Sequence, residues 1–190
     1  MAEKIVVCGI AGSLRAGSFN KMLLRAAGEL APAEMEIRPF GRMAEIPLYD
    51  ADLEAKGAPE PVQALKRAVR EAAAVLVCTP EYNWSVPGVL KNAIDWASRP
   101  PSETPFAGKP VALTGASPGA VGTARAQQHL RLVLASNGAL VLPGPEVLVA
   151  RCQEKFDASG KLADEATRRY LARLLEALAA AARRNLTTGR

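Results

Sequence analysis

What most restricts the fold of this chain is a rhythm: short apolar runs alternate with amphipathic stretches along all 190 residues. KIVVCGIA (4–11) is apolar throughout, as a strand covered on both faces must be. SFNKMLLRAAGELA (18–31) then places Phe19, Met22, Leu23, Ala26, Ala27 and Leu30 at helical spacing. MEIRPF (35–40) alternates, which predicts a strand near a sheet edge. Beyond a loop rich in proline and acid (46–61), VQALKRAVREAA reads as a helix and AVLVCTP (74–80) as a buried strand. VPGVLKNAIDWAS (86–98) is helical, KPVALTGAS (109–117) a strand, and GTARAQQHLRLVLASNG (122–138) a helix stopped by Asn137-Gly138. ALVLPG (139–144) is the fifth strand, with EVLVA extending it or pairing with it. A long helix over roughly 163–184 carries Leu171, Leu174, Leu175 and Leu178 on one stripe. Five βα units predict an α/β chain: a doubly wound, five-stranded parallel sheet with helices on both faces, folding as one domain over 1–190.

Composition narrows the class. Apolar residues make up 49% and charged residues 23%, the balance of a protein with a sizeable core. No run of 18 apolar residues exists, and the N-terminus lacks the pattern of a signal peptide, so a cytoplasmic protein without membrane attachment is expected. The net charge of +5 accompanies only 5% aromatics, which argues against nucleic acid and for small anionic ligands. Cys8, Cys78 and Cys152 show no CxxC spacing and are read as small hydrophobes. His129 has no Cys or His nearby, so neither a metal site nor a histidine dyad is expected.

The first strand ends in GSLRAGSFN (12–20). Gly12 and Gly17 let N–H groups turn inward, Ser13 and Ser18 supply hydroxyls, and Arg15 supplies a permanent charge. The next helix begins at this loop and aims its unpaired N–H groups and positive dipole end into it. Such a loop seats an anion. It is not GxxxxGK[ST], and its glycines lack the GxGxxG spacing of a dinucleotide site. A hydroxyl-rich loop after the first strand of a five-unit α/β chain fits a terminal monophosphate instead. Flavin mononucleotide in the strand order 2-1-3-4-5 is the leading candidate.

The loop after the third strand, PEYNWSVPGVLKNAIDW (80–96), completes a pattern. With GSLRAGSFN it resembles the NADPH-dependent FMN reductase family, whose quinone, azo-dye and chromate reductases carry GSLRxxSxN and PEYNxSxPGxLKNAIDW on the same elements. The resemblance implies a flavodoxin-like fold, FMN as cofactor, NADPH or NADH as co-substrate, and a dimer or tetramer. It implies that Ser13, Arg15, Ser18 and Asn20, with the Phe19 backbone, hold the FMN phosphate. Pro80, Glu81, Tyr82 and Asn83 would wrap the isoalloxazine edge, mostly through main-chain groups, and Ser117 would lie near the ring's other side. Trp84 is read as packing, Pro87 and Gly88 as a helix start, and Lys91 and Asp95 as an i, i+4 pair without chemistry.

Leu130, Leu132, Val133, Leu134 and Ala135 surround one helix, which predicts a second burial against another copy of the chain, a homodimer or homotetramer. Arg125 and Glu146 are candidates for polar contacts there, and Arg99 for a basic rim over the flavin. Because a flavin carries the redox chemistry, no catalytic side chain is named. The expected activity passes hydride from NADPH or NADH to FMN and on to quinones, azo dyes, flavins or chromate. A flavodoxin-type electron carrier without turnover is the alternative.

Overall fold

A computed structural model describes residues 4–188. Strand β1 (Ile5–Ala11) lies between β2 (Met35–Pro39) and β3 (Ala74–Cys78), and β4 (Pro110–Ala116) follows β3, all parallel. The order runs β2-β1-β3-β4-β5, with β5 at Leu140–Val141, which is the order expected from the sequence. The alternation of side chains decides which face each residue serves. Ile5, Val7, Leu76 and Ala112 face α1 (Phe19–Leu30) and α6 (Glu165–Thr188). Cys8, Ile10, Val75, Val77, Val111 and Leu113 face α3 (Glu60–Glu71), α4 (Gly88–Ala97) and α5 (Ala124–Ala135). Both faces are therefore covered, which is why these strands contain no polar alternation. In α6, Leu171, Leu174, Leu175 and Leu178 are all but fully buried; at roughly 2 kcal/mol each this stripe contributes about 8 kcal/mol before entropy is charged against it.

The strand expected at the edge, β2, is at the edge. The fifth position differs from expectation. Only Leu140–Val141 (β5) pairs with the start of β4, at Pro110 and Val111. The chain then swings out through a Pro143-Gly144-Pro145 segment, in which the Gly144–Pro145 peptide is cis. It returns as β6 (Val147–Val149), parallel to Thr114–Ala116. EVLVA neither extends β5 nor pairs with it; two short segments share one edge of β4, because prolines remove the donors that a continuous strand would need. The loop at 46–61 also holds a four-residue helix, α2 (Ala51–Glu54), whose N-cap is Asp50. The helix stop at Asn137-Gly138 is present: Gly138 takes φ 74, and its N–H bonds the Ala135 carbonyl at 2.9 Å. In α5, Leu130 and Leu134 are fully buried, while Leu132 is 72% exposed, so one face packs on the sheet and the other stands free.

Candidate functional site

Three loops leave the carboxyl ends of the adjacent strands β1, β3 and β4, where ligands of doubly wound sheets bind. In the first, the N–H groups from Ser13 to Gly17, and that of Phe19, have no hydrogen-bond acceptor among the described residues. The Ser13 residue is only 5% exposed, yet its hydroxyl makes no hydrogen bond to the described residues. Ser18 is the N-cap of α1, accepting from the N–H groups of Asn20 and Lys21 at 3.2 and 3.4 Å. Its own hydroxyl proton remains for an outside acceptor. The exposed Arg15 has no carboxylate partner among the described residues. A would-be side chain on Gly17 meets nothing within 4 Å, so the loop opens on that side. Buried or inward donors left unpaired beside a helix N-terminus suit an anion.

Two members of this loop act differently from the sequence reading. Gly12 is tightly packed: a Cβ there would stand 2.9 Å from Leu90 Cδ2 of α4, which would have to shift. Asn20 is a strut. Its side chain donates to the Ala116 carbonyl and accepts from the Ala116 N–H, both at 2.9 Å and both buried. One N–H and the oxygen of the amide are thus engaged by the end of β4, and they lash the first turn of α1 to the start of the third loop.

The second loop begins at buried Pro80, whose carbonyl accepts from the Thr79 hydroxyl at 2.8 Å. Tyr82 and Ser85 exchange backbone hydrogen bonds of 3.1 and 2.9 Å across Asn83 (φ 48) and Trp84 (φ 63). Two positive φ values make this a type I′ turn. Asparagine tolerates that geometry; tryptophan does not, so Trp84 stores strain. Trp84 is not a packing residue: it is 68% exposed, with the Arg125 guanidinium 4.4 Å from its ring centre. The turn projects the side chain outward, which periodicity does not register. Tyr82 is half exposed, and the N–H groups of Glu81, Asn83 and Trp84 are unpaired among the described residues.

Glu81 sends its carboxylate away from this turn. It accepts from the Ala126 N–H at 3.0 Å and lies 3.7 Å from Arg125, with the side chain 8% exposed. α5 has no side-chain cap of its own at Thr123, so Glu81 caps it from another loop and meets the positive end of its dipole. Only the Glu81 main chain is left for a ligand. Ser85 is also tied to α5, through a 3.0 Å contact between its hydroxyl and His129 Nδ1.

The third loop starts at Ser117, whose N–H donates to Val149 and whose carbonyl accepts from Cys152. Its hydroxyl accepts from the Gly119 N–H at 3.2 Å and keeps its proton. Burial pushes the Cys152 thiol up to about 11, while nearby Arg15 pulls it the other way. Ser13, Arg15, Ser18, Phe19, the Pro80–Asn83 turn and Ser117 therefore share one edge of the sheet. Arg99 does not. It lies beyond the far end of α4, stacked 5.8 Å from the Tyr49 ring centre. About 15 Å of helix separates it from the second loop. Lys91 and Asp95 form their expected ion pair at 2.8 Å, away from any unpaired donor. Among the described residues no group of His, Cys, Asp and Glu is placed to hold a metal.

The sequence profile of the NADPH-dependent FMN reductase family matches residues 5–154. The chain is 49% identical over 178 residues to an NAD(P)H-dependent FMN reductase of Pseudomonas aeruginosa, covering 94% of this chain and 95% of that one. It is 47% identical over 173 residues to a quinone reductase of Escherichia coli, covering 90% and 92%. Among solved structures it resembles FerB, a flavoenzyme NAD(P)H:(acceptor) oxidoreductase from Paracoccus denitrificans. That match has a TM-score of 0.84 at 38% identity and covers 95% of this chain and 98% of that one.

Proposed function

The chain belongs to the NADPH-dependent FMN reductase family, and on that premise we propose that its three loops hold FMN and that it works as an NAD(P)H:acceptor oxidoreductase. The observation that carries the residue assignment is the set of unpaired donors at the start of α1. The hydroxyls of Ser13 and Ser18, the Phe19 N–H and the Arg15 guanidinium hold the phosphate. These groups are donors with few competing acceptors, so they replace the water contacts that a dianion gives up on entering. Asn20 keeps this loop in register with β4 through its two bonds to Ala116. The main chain of Pro80, Glu81, Tyr82 and Asn83 faces one edge of the ring system, and Ser117 faces it from the third loop.

FMN, when bound, accepts a hydride equivalent from a nicotinamide and gives its electrons to a second substrate. The protein's part is orientation and electrostatics. The N–H groups of the I′ turn donate without titrating, so their contribution does not change with pH. The strained turn, held by Glu81 and Ser85 against α5, is stiff before any ligand arrives, which lowers the ordering cost of binding. Tyr82 and Trp84 leave aromatic surface beside the site for planar acceptors such as quinones, azo compounds and free flavins, and chromate, a tetrahedral oxyanion, completes the substrate range without using that surface. The exposed face of α5 around Leu132 joins two copies as a homodimer or homotetramer, and the protein acts in the cytoplasm.

Titration of apo-protein with FMN and with riboflavin tests the phosphate seat. FMN binds much more tightly than riboflavin, and Ser13→Ala or Arg15→Ala removes most of that difference while leaving riboflavin binding unchanged. Equal affinity for the two ligands would refute the seat. Steady-state oxidation of NADPH, then NADH, with a quinone separates an enzyme from an electron carrier, which would show almost no turnover.

A further inference from the structure

A cavity of about 510 Å³ opens between α1 and the end of β2, with Ala11 at the end of β1 and Ser13 and Leu14 of the first loop in its wall. Its helix wall is Lys21, Leu24, Arg25 and Gly28, spaced i, i+3, i+4 and i+7 and hence on one face of α1. Phe40, Met43 and other apolar residues form the opposite wall, and none of the lining residues is acidic. Lys21 and Arg25 reach only backbone carbonyls, those of Leu14 at 3.2 Å and Gly160 at 3.1 Å. Neither forms an ion pair among the described residues. Two cations at the rim of an apolar hollow, compensated by no carboxylate, make a site with a defined preference. At Gly28 the space beside the helix is open: a Cβ there would meet nothing within 4 Å.

We propose that this cavity is a second ligand site, adjoining the phosphate seat at Ser13 and running from it along α1 towards Phe40 and Met43, for a small amphipathic anion: one or two linked rings carrying a carboxylate or sulfonate. The volume falls within the roughly 300–1,000 Å³ of small-molecule sites and exceeds what a metal oxyanion or a water cluster needs. The ring body displaces water from Leu24, Phe40 and Met43, and the anionic group meets Lys21 and Arg25 at the rim.

The test is isothermal titration of FMN-saturated protein with 8-anilinonaphthalene-1-sulfonate, and with the uncharged N-phenyl-1-naphthylamine. One equivalent of the sulfonate binds. Filling the hollow from the helix by Gly28→Phe, or from the opposite wall by Ala44→Phe, weakens it by about tenfold or more. Arg25→Gln weakens the sulfonate several-fold and leaves the neutral probe unchanged. Turnover of NADPH with a quinone is unaffected by Gly28→Phe, and if one filling variant fails to fold, the other decides. Absence of saturable binding to the FMN-saturated protein, or undiminished affinity in the filling variants, overturns the proposal. A protein that never takes up FMN would refute the flavin reading instead, and it is recognised by its lack of colour.

Discussion

Replacing Asn20 by alanine separates two meanings of one residue, because the motif makes it a phosphate ligand and the structure makes it a strut. The two bonds between its amide and Ala116 are 2.9 Å long, and Asn20 and Ala116 are 3% and 2% exposed. Truncation leaves an N–H and a C=O of β4 facing a small hole that water does not reach freely. Each orphaned group costs about 1–3 kcal/mol, so the pair costs roughly 4 kcal/mol. For a chain of this length 1 kcal/mol moves the midpoint by about 2–4 °C, so the apo-protein should melt roughly 8–16 °C lower. The comparison variants are Ser13→Ala and Arg15→Ala, whose side chains make no hydrogen bond to the described residues and whose loss leaves the apo midpoint within about 2 °C. The assay is thermal unfolding followed by circular dichroism without FMN, then repeated with saturating FMN. Ser13→Ala and Arg15→Ala should lose ligand-induced stabilisation, whereas Asn20→Ala should lose intrinsic stability. An apo Asn20→Ala protein that melts with the parent would refute the strut, and with it the claim that the clasp sets the spacing of the first and third loops.

Glu81→Ala leaves the Ala126 N–H without its acceptor and should cost about 2 kcal/mol in urea unfolding, whereas Glu81→Gln keeps an acceptor, loses the charge and should cost about 1 kcal/mol; equal stability of both with the parent would exclude the remote cap. Asp164 accepts from the Thr167 hydroxyl and N–H and pairs with Lys155, and these hold its carboxyl at about 2 against the usual 3.8. Because the folded-state value is depressed, the stabilisation is complete above pH 3.8 and disappears as pH falls through 2. Asp164→Ala should therefore be roughly 1 kcal/mol less stable at pH 6, with the gap closing in acid; a gap independent of pH would refute the pairing. Burial pushes the Cys8 thiol up to about 12, Cys152 to about 11 and Cys78 higher still. A disulfide reagent at pH 8 should find no fast-reacting thiol in the native protein and three after denaturation, so even one fast native thiol would contradict this packing.

How much was legible in the sequence followed from how far apart the interacting residues are. Strands β1 and β3 are covered on both faces, so their sequences are apolar without interruption, and reading them needs only neighbours in the chain. The Ser18 cap and the α6 leucine stripe are local in the same sense. Asn20 meets Ala116 across 96 residues and Glu81 meets Ala126 across 45. No periodicity announces such pairs, and both were absorbed into a motif that explained them otherwise. Trp84 escaped for a different reason: its direction is set by a backbone of the wrong hand for its side chain. The divided fifth strand shows the same limit, since proline marks an interruption but not the place where pairing resumes.

These long-range ties share a direction. Asn20 joins the first loop to β4, Glu81 and Ser85 join the second loop to α5, and Val149 and Cys152 hold the third loop from behind. Each uses a polar group of a site loop for internal bracing and leaves a main-chain N–H or a hydroxyl proton facing outward. Where the remaining donors are main-chain N–H groups, as in the second loop, their positions are set by the fold rather than by rotamers, so little ordering remains to be done there on binding. It follows that substitutions at Asn20 and Glu81 should impair ligand binding only as far as they loosen the protein, whereas substitutions at Ser13 and Arg15 should impair it in a protein that is otherwise intact.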